Sequence, residues 1–145
     1  EVTRGFAAGI APDAAGYVSE GSGENLFAVA KGRLVTPPLV SSILPGITRD
    51  SVLQLGRDWG MKVSERSIGV DEIIAAHRDG KLQEAFGTGT AAIISPVGEL
   101  VYRGESFLIN DSKIGPVAQK FYDTITGLQY GEIEDTRGWI EHIAI

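Results

Sequence analysis

Cysteine is absent from the 145 residues, and histidine occurs twice, at His77 and His142. Without thiols the chain forms no disulfide, no thiolate nucleophile and no zinc knuckle, and two isolated histidines complete no metal cluster. Long apolar runs are missing as well. Apolar runs such as Ala91 to Ile94 and Ile143 to Ile145 fall far short of the roughly 18 residues that a membrane-spanning helix needs. Basic residues are in deficit, 13 Lys and Arg against 19 Asp and Glu, and the resulting net charge of −6 argues against nucleic acid as a partner. No basic segment followed by an apolar stretch opens the sequence, so no signal peptide is expected and the cytoplasm is the default compartment.

Apolar residues make up 43% and charged residues 22%, the balance of one ordinary globular domain. Glycine is abundant at 19 residues and clustered, as at Gly16, Gly21 and Gly23 and again at Gly87 and Gly89. Short strands are expected near Gly16 to Ser19, over Leu26 to Ala30 and, after a Lys31-Gly32 turn, over Arg33 to Thr36. Pro37-Pro38 ends that pattern, and Ser41 to Gly46 reads as a loop. From Ile47 the period changes: Val52, Leu55 and Trp59 recur at helical steps and predict a helix closing at Gly60. A strand is expected over Met61 to Ile68 and a helix over Val70 to His77. Further strands are expected at Thr90 to Pro96, Glu99 to Tyr102 and Phe107 to Ile109. A last helix is predicted from Pro116 to Thr126 with Gly127 as its stop. Trp139, Ile140, Ile143 and Ile145 make the tail apolar enough to dock. The pattern predicts a mixed α/β domain with several hairpins.

Three segments carry candidate chemistry. In Gly16 to Phe27, Glu20 follows an apolar stretch and is flanked by Gly21 and Gly23, which admit a flat ligand close to the backbone; an acidic hairpin turn has the same composition. Ser42 to Asp50 is a glycine-containing loop opening a helix, where free N–H groups and the positive end of the helix dipole suit an anion; Thr48 as a simple cap is the alternative. Phe86 to Ala92 offers exposed N–H groups and hydroxyls for a carboxylate or phosphate, or else a plain glycine-rich loop between strands. No GxGxxG, GxxxxGK[ST] or GxSxG pattern is present, which disfavours the common nucleotide folds and Ser-His-Asp hydrolysis. Glu132, Glu134 and Asp135 read as a solvated acidic face.

The wording EGSGENLF (Glu20 to Phe27), TPPL (Thr36 to Leu39), SILPGITRDSV (Ser42 to Val52), FGTGTAA (Phe86 to Ala92) and GLQYGE (Gly127 to Glu132) resembles, in order and over nearly the whole chain, the C-terminal domain of branched-chain amino acid aminotransferases. These are pyridoxal phosphate enzymes of fold type IV. The resemblance implies an α/β domain with a barrel-like mixed sheet and surrounding helices, and a transaminase moving amino groups between Leu, Ile or Val and 2-oxoglutarate. Glu20 would then pair with the pyridine nitrogen of pyridoxal 5'-phosphate. Ile47 and Thr48 would hold the phosphate, joined by the Thr90 hydroxyl. Gly89, Thr90 and Ala91 would receive the substrate carboxylate, and Gly23 and Asn25 would lie beside the cofactor. D-amino acid aminotransferases and aminodeoxychorismate lyases share the fold and the glutamate and stay open as alternatives, as does a noncatalytic domain binding a phosphate ligand or a partner chain.

No catalytic residue is assigned within the chain. The family's Schiff-base lysine belongs upstream of the glutamate motif, and Lys31, Lys62, Lys81, Lys113 and Lys120 stand in none of the matching positions. The polypeptide alone is therefore expected to be inactive. Its expected partners are small-molecule substrates, an N-terminal domain or fragment of the same enzyme, and further copies in a homo-oligomer, with no membrane. Ala92 and Ser95 stand where some relatives carry a cysteine pair, so thiol redox control is excluded.

Overall fold

The computed structural model describes residues 10–40 and 43–144, and side chains within that range except at 10–12. Its centre is a five-stranded sheet in the order β5 (Lys62–Glu65), β4 (Arg33–Thr36), β3 (Asn25–Ala30), β6 (Leu82–Gly89), β7 (Ile93–Pro96). All neighbours are antiparallel except β4 and β5, which are parallel and linked through helix α1 (Ile47–Asp58). That crossover is the connection parallel strands require. Two separate antiparallel pairs, β1 (Ile10–Pro12) with β2 (Val18–Gly21) and β8 (Glu99–Tyr102) with β9 (Glu105–Leu108), flank the sheet. Helices α2 (Val70–Arg78) and α3 (Pro116–Gln129) complete the domain.

Side chains alternate across a strand, and β3 uses both faces. Phe27 and Val29 join Leu34, Val52, Leu55, Phe86 and Phe121 in a core beneath α1 and α3, where Phe27 stacks on Phe86 at 5.4 Å. Leu26 and Ala28 turn the other way and join Val35, Ile68, Ile73 and Ala85 beneath α2. Two covered faces explain why β3 reads as a continuous apolar run. The mixed α/β class expected from sequence is the observed one. Among the described residues the sheet is open, with β5 and β7 as its edges.

Several expected boundaries shift for physical reasons. Phe86 to Gly89 is not loop: it is the end of β6, an eight-residue strand at the middle of the sheet whose first half the sequence pattern does not announce. Glycine lowers strand propensity, and only the packing on both faces reveals why it is tolerated there. Helix α3 runs on to Gln129, with Gly127 inside it. Ile133 folds back so closely that a Cβ on Gly127 would lie 2.7 Å from its Cδ1, and the left-handed stop is Gly131, at φ +73°. The expected strand over Met61 to Ile68 shortens to β5, because Ile68 is drawn into the second core. β2 starts at Val18, β7 at Ile93 and β9 at Glu105. In the tail Trp139 packs on the first core, while Ile143 is exposed and Ile145 lies outside the described residues. Glu132 and Glu134 are exposed as expected, but Asp135 folds the tail: it accepts N–H bonds from Ile140 (2.8 Å) and Arg137 (2.9 Å), which hold its carboxyl below the usual range.

Candidate functional site

The three candidate segments, far apart in sequence, meet at one end of the central sheet. Glu20 is the third residue of β2, and one of its carboxylate oxygens accepts the Leu44 N–H at 3.1 Å. Asn25 opens β3, is buried, and donates its amide N–H to the Leu44 carbonyl at 2.9 Å. Both backbone groups of Leu44 are therefore held by predicted site residues, which fixes the loop ahead of α1 against β2 and β3. Asn25 also packs on Gly46, where any Cβ would collide with its amide oxygen. Across the sheet Asn25 is paired with Thr88 of β6, and the Gly23 carbonyl oxygen lies 2.9 Å from where a Cβ on Gly89 would stand. Gly89 ends β6, and exposed Thr90 and Ala91 form the turn into β7.

The start of α1 differs from the start of the other two helices. Every helix begins with N–H groups that lack intrahelical partners. At α2, the Gly69 N–H donates to Glu72, whose carboxyl is held below its usual range first by the Arg66 guanidinium and also by this bond. At α3, buried Glu84 reaches across from β6 and accepts the N–H groups of Val117 and Ala118, both at 2.9 Å. At α1, the cap is Gly46, and no side chain among the described residues accepts the N–H groups of Ile47 and Thr48. Asp50, the acid nearest that end, accepts instead from Gln54 in the next turn at 2.6 Å. The Ile47 and Thr48 N–H groups stand at the positive end of the helix dipole, the end that favours an anion. Below them, Thr88 is 2% exposed, and its hydroxyl has no partner among the described residues.

Arg49, in the first turn of α1, keeps this end in place. It is buried, donates to the Pro37 carbonyl and to Glu65, both at 2.9 Å, and Glu65 accepts a further bond from Arg57 at 3.0 Å. The Arg49 hydrogen bond, with help from Arg57, holds the Glu65 carboxyl below its usual range. Sequence reasoning missed Arg49, Thr88, Glu24 and Glu84. Glu24 accepts the Ser95 hydroxyl at 2.6 Å, a bond between residues 71 apart that no local pattern foretells. The Gly87–Gly89 spacing, which bares one face of a strand, was the available signal that something lies against it.

Known proteins share this fold and much of its wording. The class IV amino-transferase family model matches residues 2–100. Branched-chain-amino-acid aminotransferase 2 of Bacillus subtilis (strain 168) is 53% identical over 128 residues, covering 88% of this chain and 35% of that protein. The Escherichia coli branched-chain amino acid aminotransferase structure aligns at TM-score 0.81 with 40% identity, over 95% of this chain and 43% of that one. A second solved branched-chain amino acid aminotransferase, the T.th. enzyme with pyridoxamine 5'-phosphate, aligns at TM-score 0.78 with 33% identity, over 94% of this chain and 41% of that one. The chain thus spans about a third of the length of the curated relatives it matches. No helix among the described residues is long and apolar enough to cross a membrane. Fold, motif order and the family match agree, and the chain belongs to the class IV aminotransferases.

Proposed function

We propose that these residues form the C-terminal, cofactor-binding domain of a branched-chain amino acid aminotransferase, a homo-oligomeric cytoplasmic enzyme exchanging amino groups between Leu, Ile or Val and 2-oxoglutarate. The observation that carries this reading is the start of α1, which no described side chain caps, beside Glu20 and the Gly89–Ala91 turn. One ligand bearing an aromatic nitrogen, a phosphate and an attached amino acid has use for all three. Pyridoxal 5'-phosphate fits the donor set. Ile47 and Thr48 supply N–H groups and a hydroxyl at a helix start, Thr90 a second hydroxyl, and the missing side chains at Gly46, Gly87 and Gly89 let Asn25, Glu24 and the Gly23 carbonyl pack tightly against the segments that carry these donors. When bound, the cofactor supplies an electron sink for breaking bonds at the amino acid's α-carbon.

The chain's own residues divide the remaining work. Glu20 keeps a proton on the ring nitrogen. The α1 start and Thr90 anchor the phosphate, and the N–H groups of Gly89, Thr90 and Ala91 orient the substrate carboxylate. Gly23 and Asn25 border the cofactor, with Asn25 acting through the Leu44 carbonyl it holds. The lysines of this chain are engaged or placed elsewhere: Lys120 lies 4.0 Å over the Trp59 ring, Lys81 pairs with Asp79, and Lys31 sits in the β3–β4 turn. The base that moves the α-proton would come from a lysine outside these residues, in an N-terminal part of the same enzyme. A full-length protein assayed with leucine and 2-oxoglutarate should transaminate, and Glu20→Ala should lower the rate sharply while leaving the fold intact. An unchanged rate would remove Glu20 from the site.

A further inference from the structure

The turn through Gly89, Thr90 and Ala91 is held by features that the roles above do not use. Ile93, two residues beyond it, has φ +62°, a left-handed conformation that is a true outlier for a β-branched residue. Such a conformation persists only where its surroundings over-determine it. One restraint is the first core, against which Ile93 packs. The other is polar: the Ser95 hydroxyl donates to Glu24 at 2.6 Å in a half-buried setting. Gly87 is the register partner of Ser95, and it lacks the side chain that would collide with the Glu24 carboxylate. The β2–β3 turn therefore lies flat on the last glycines of β6, with its Gly23 carbonyl against Gly89 and its glutamate bonded to β7. Four residues ahead of Glu24, on the same short segment, stands Glu20.

We infer that Glu24 and Ser95 are a positioning pair that clamps the substrate-carboxylate turn to the strand bearing Glu20, and so sets how tightly a carboxylate substrate is held. The inference rests on the proposed function, which supplies the role of the turn. Neither residue touches the reacting atoms. Loss of the bond frees the turn's N–H groups from one orientation, which weakens carboxylate binding and leaves the ring and phosphate contacts in place.

The test uses the full-length protein containing this chain, loaded with pyridoxal phosphate, and 4-methylpentanoate as a probe with leucine's carbon skeleton and carboxylate but no amino group. Ser95→Ala should raise the probe's dissociation constant and the KM for leucine about tenfold, the worth of one charge-assisted hydrogen bond. Meanwhile kcat should stay within about twofold and cofactor affinity should not change. Ser95→Thr, which keeps the hydroxyl, should restore binding. Glu24→Gln keeps an acceptor oxygen without its charge and should weaken the probe by about threefold, and it decides the matter if Ser95→Ala does not fold. Unchanged probe binding in an active enzyme, or equal loss of probe binding, cofactor affinity and thermal stability, overturns the positioning role and leaves the proposed function standing. A wild-type protein that binds neither cofactor nor probe overturns both.

Discussion

Helices α1 and α3 both begin after a glycine cap and both pack on the same core, yet their first turns are treated in opposite ways. At α3 the chain fills the anion position itself, with the two oxygens of buried Glu84 on the Val117 and Ala118 N–H groups. Even the glycine cap serves that contact, since a Cβ on Gly115 would overlap the carboxylate. At α1 the same physical demand is left unmet by the described side chains, while Asn25, Arg49 and Glu20 hold the surrounding loop in position. One helix start is finished as structure, and the other, under the proposed function, is kept for a ligand. Burial and hydrogen bonding, more than residue type, separate the two.

The largest effect is expected from breaking the closed end. Glu84→Ala leaves one buried and one half-buried N–H group unpaired, and urea unfolding should show a loss of about 2–3 kcal/mol with cofactor affinity preserved in the folded fraction. Closing the open end tests the converse. Thr48→Glu puts a carboxylate in the first turn of α1, so stability should rise by about 0.5 kcal/mol while pyridoxal phosphate affinity falls at least tenfold in an absorbance titration. A drop in both would mean that Thr48 is needed for the fold. Gly46→Ala should act between these. Its Cβ displaces the Asn25 amide and frees the Leu44 carbonyl, for a cost of about 1–2 kcal/mol by thermal melting and a weakened phosphate site.

The smallest effect concerns acid. Glu65, bonded by Arg49 and Arg57, has its carboxyl held below the usual range in the folded protein. The stability it contributes is complete above the ordinary glutamate pKa and is lost as the pH falls through the lowered folded value. Its side chain is 37% exposed, so the contribution is discounted to under about 1 kcal/mol. Glu65→Gln should accordingly be slightly less stable than wild type at pH 7, and the difference should vanish in acid titrations of unfolding.

One half of this contrast is legible in the sequence. Gly46, Ile47 and Thr48 stand at a period change from loop to helix, and Glu20 and Gly89 to Ala91 sit in glycine-rich wording that resembles a known family. The other half is not legible, because its partners are remote. Glu84 caps a helix that starts 32 residues later, and it lies in a strand whose glycine-containing end reads as loop. Glu24 and Ser95 are joined only when β2, β6 and β7 converge. Gly127 reads as a stop because glycine commonly ends helices, whereas Ile133 folding onto it is a tertiary contact. Periodicity reports which face of an element is apolar, and it is silent on which distant carboxylate satisfies its end.

If α1 opens on an anion site and α3 does not, a bound phosphate must shield one helix start and spare the other. Amide hydrogen exchange read by mass spectrometry, on the full-length protein with and without pyridoxal 5'-phosphate, tests this directly. The account predicts added protection over Ile47 to Asp50 and over Gly89 to Ala91, with none over Val117 to Gln119. Protection at the start of α3, or none at the start of α1 while cofactor is bound, would contradict it.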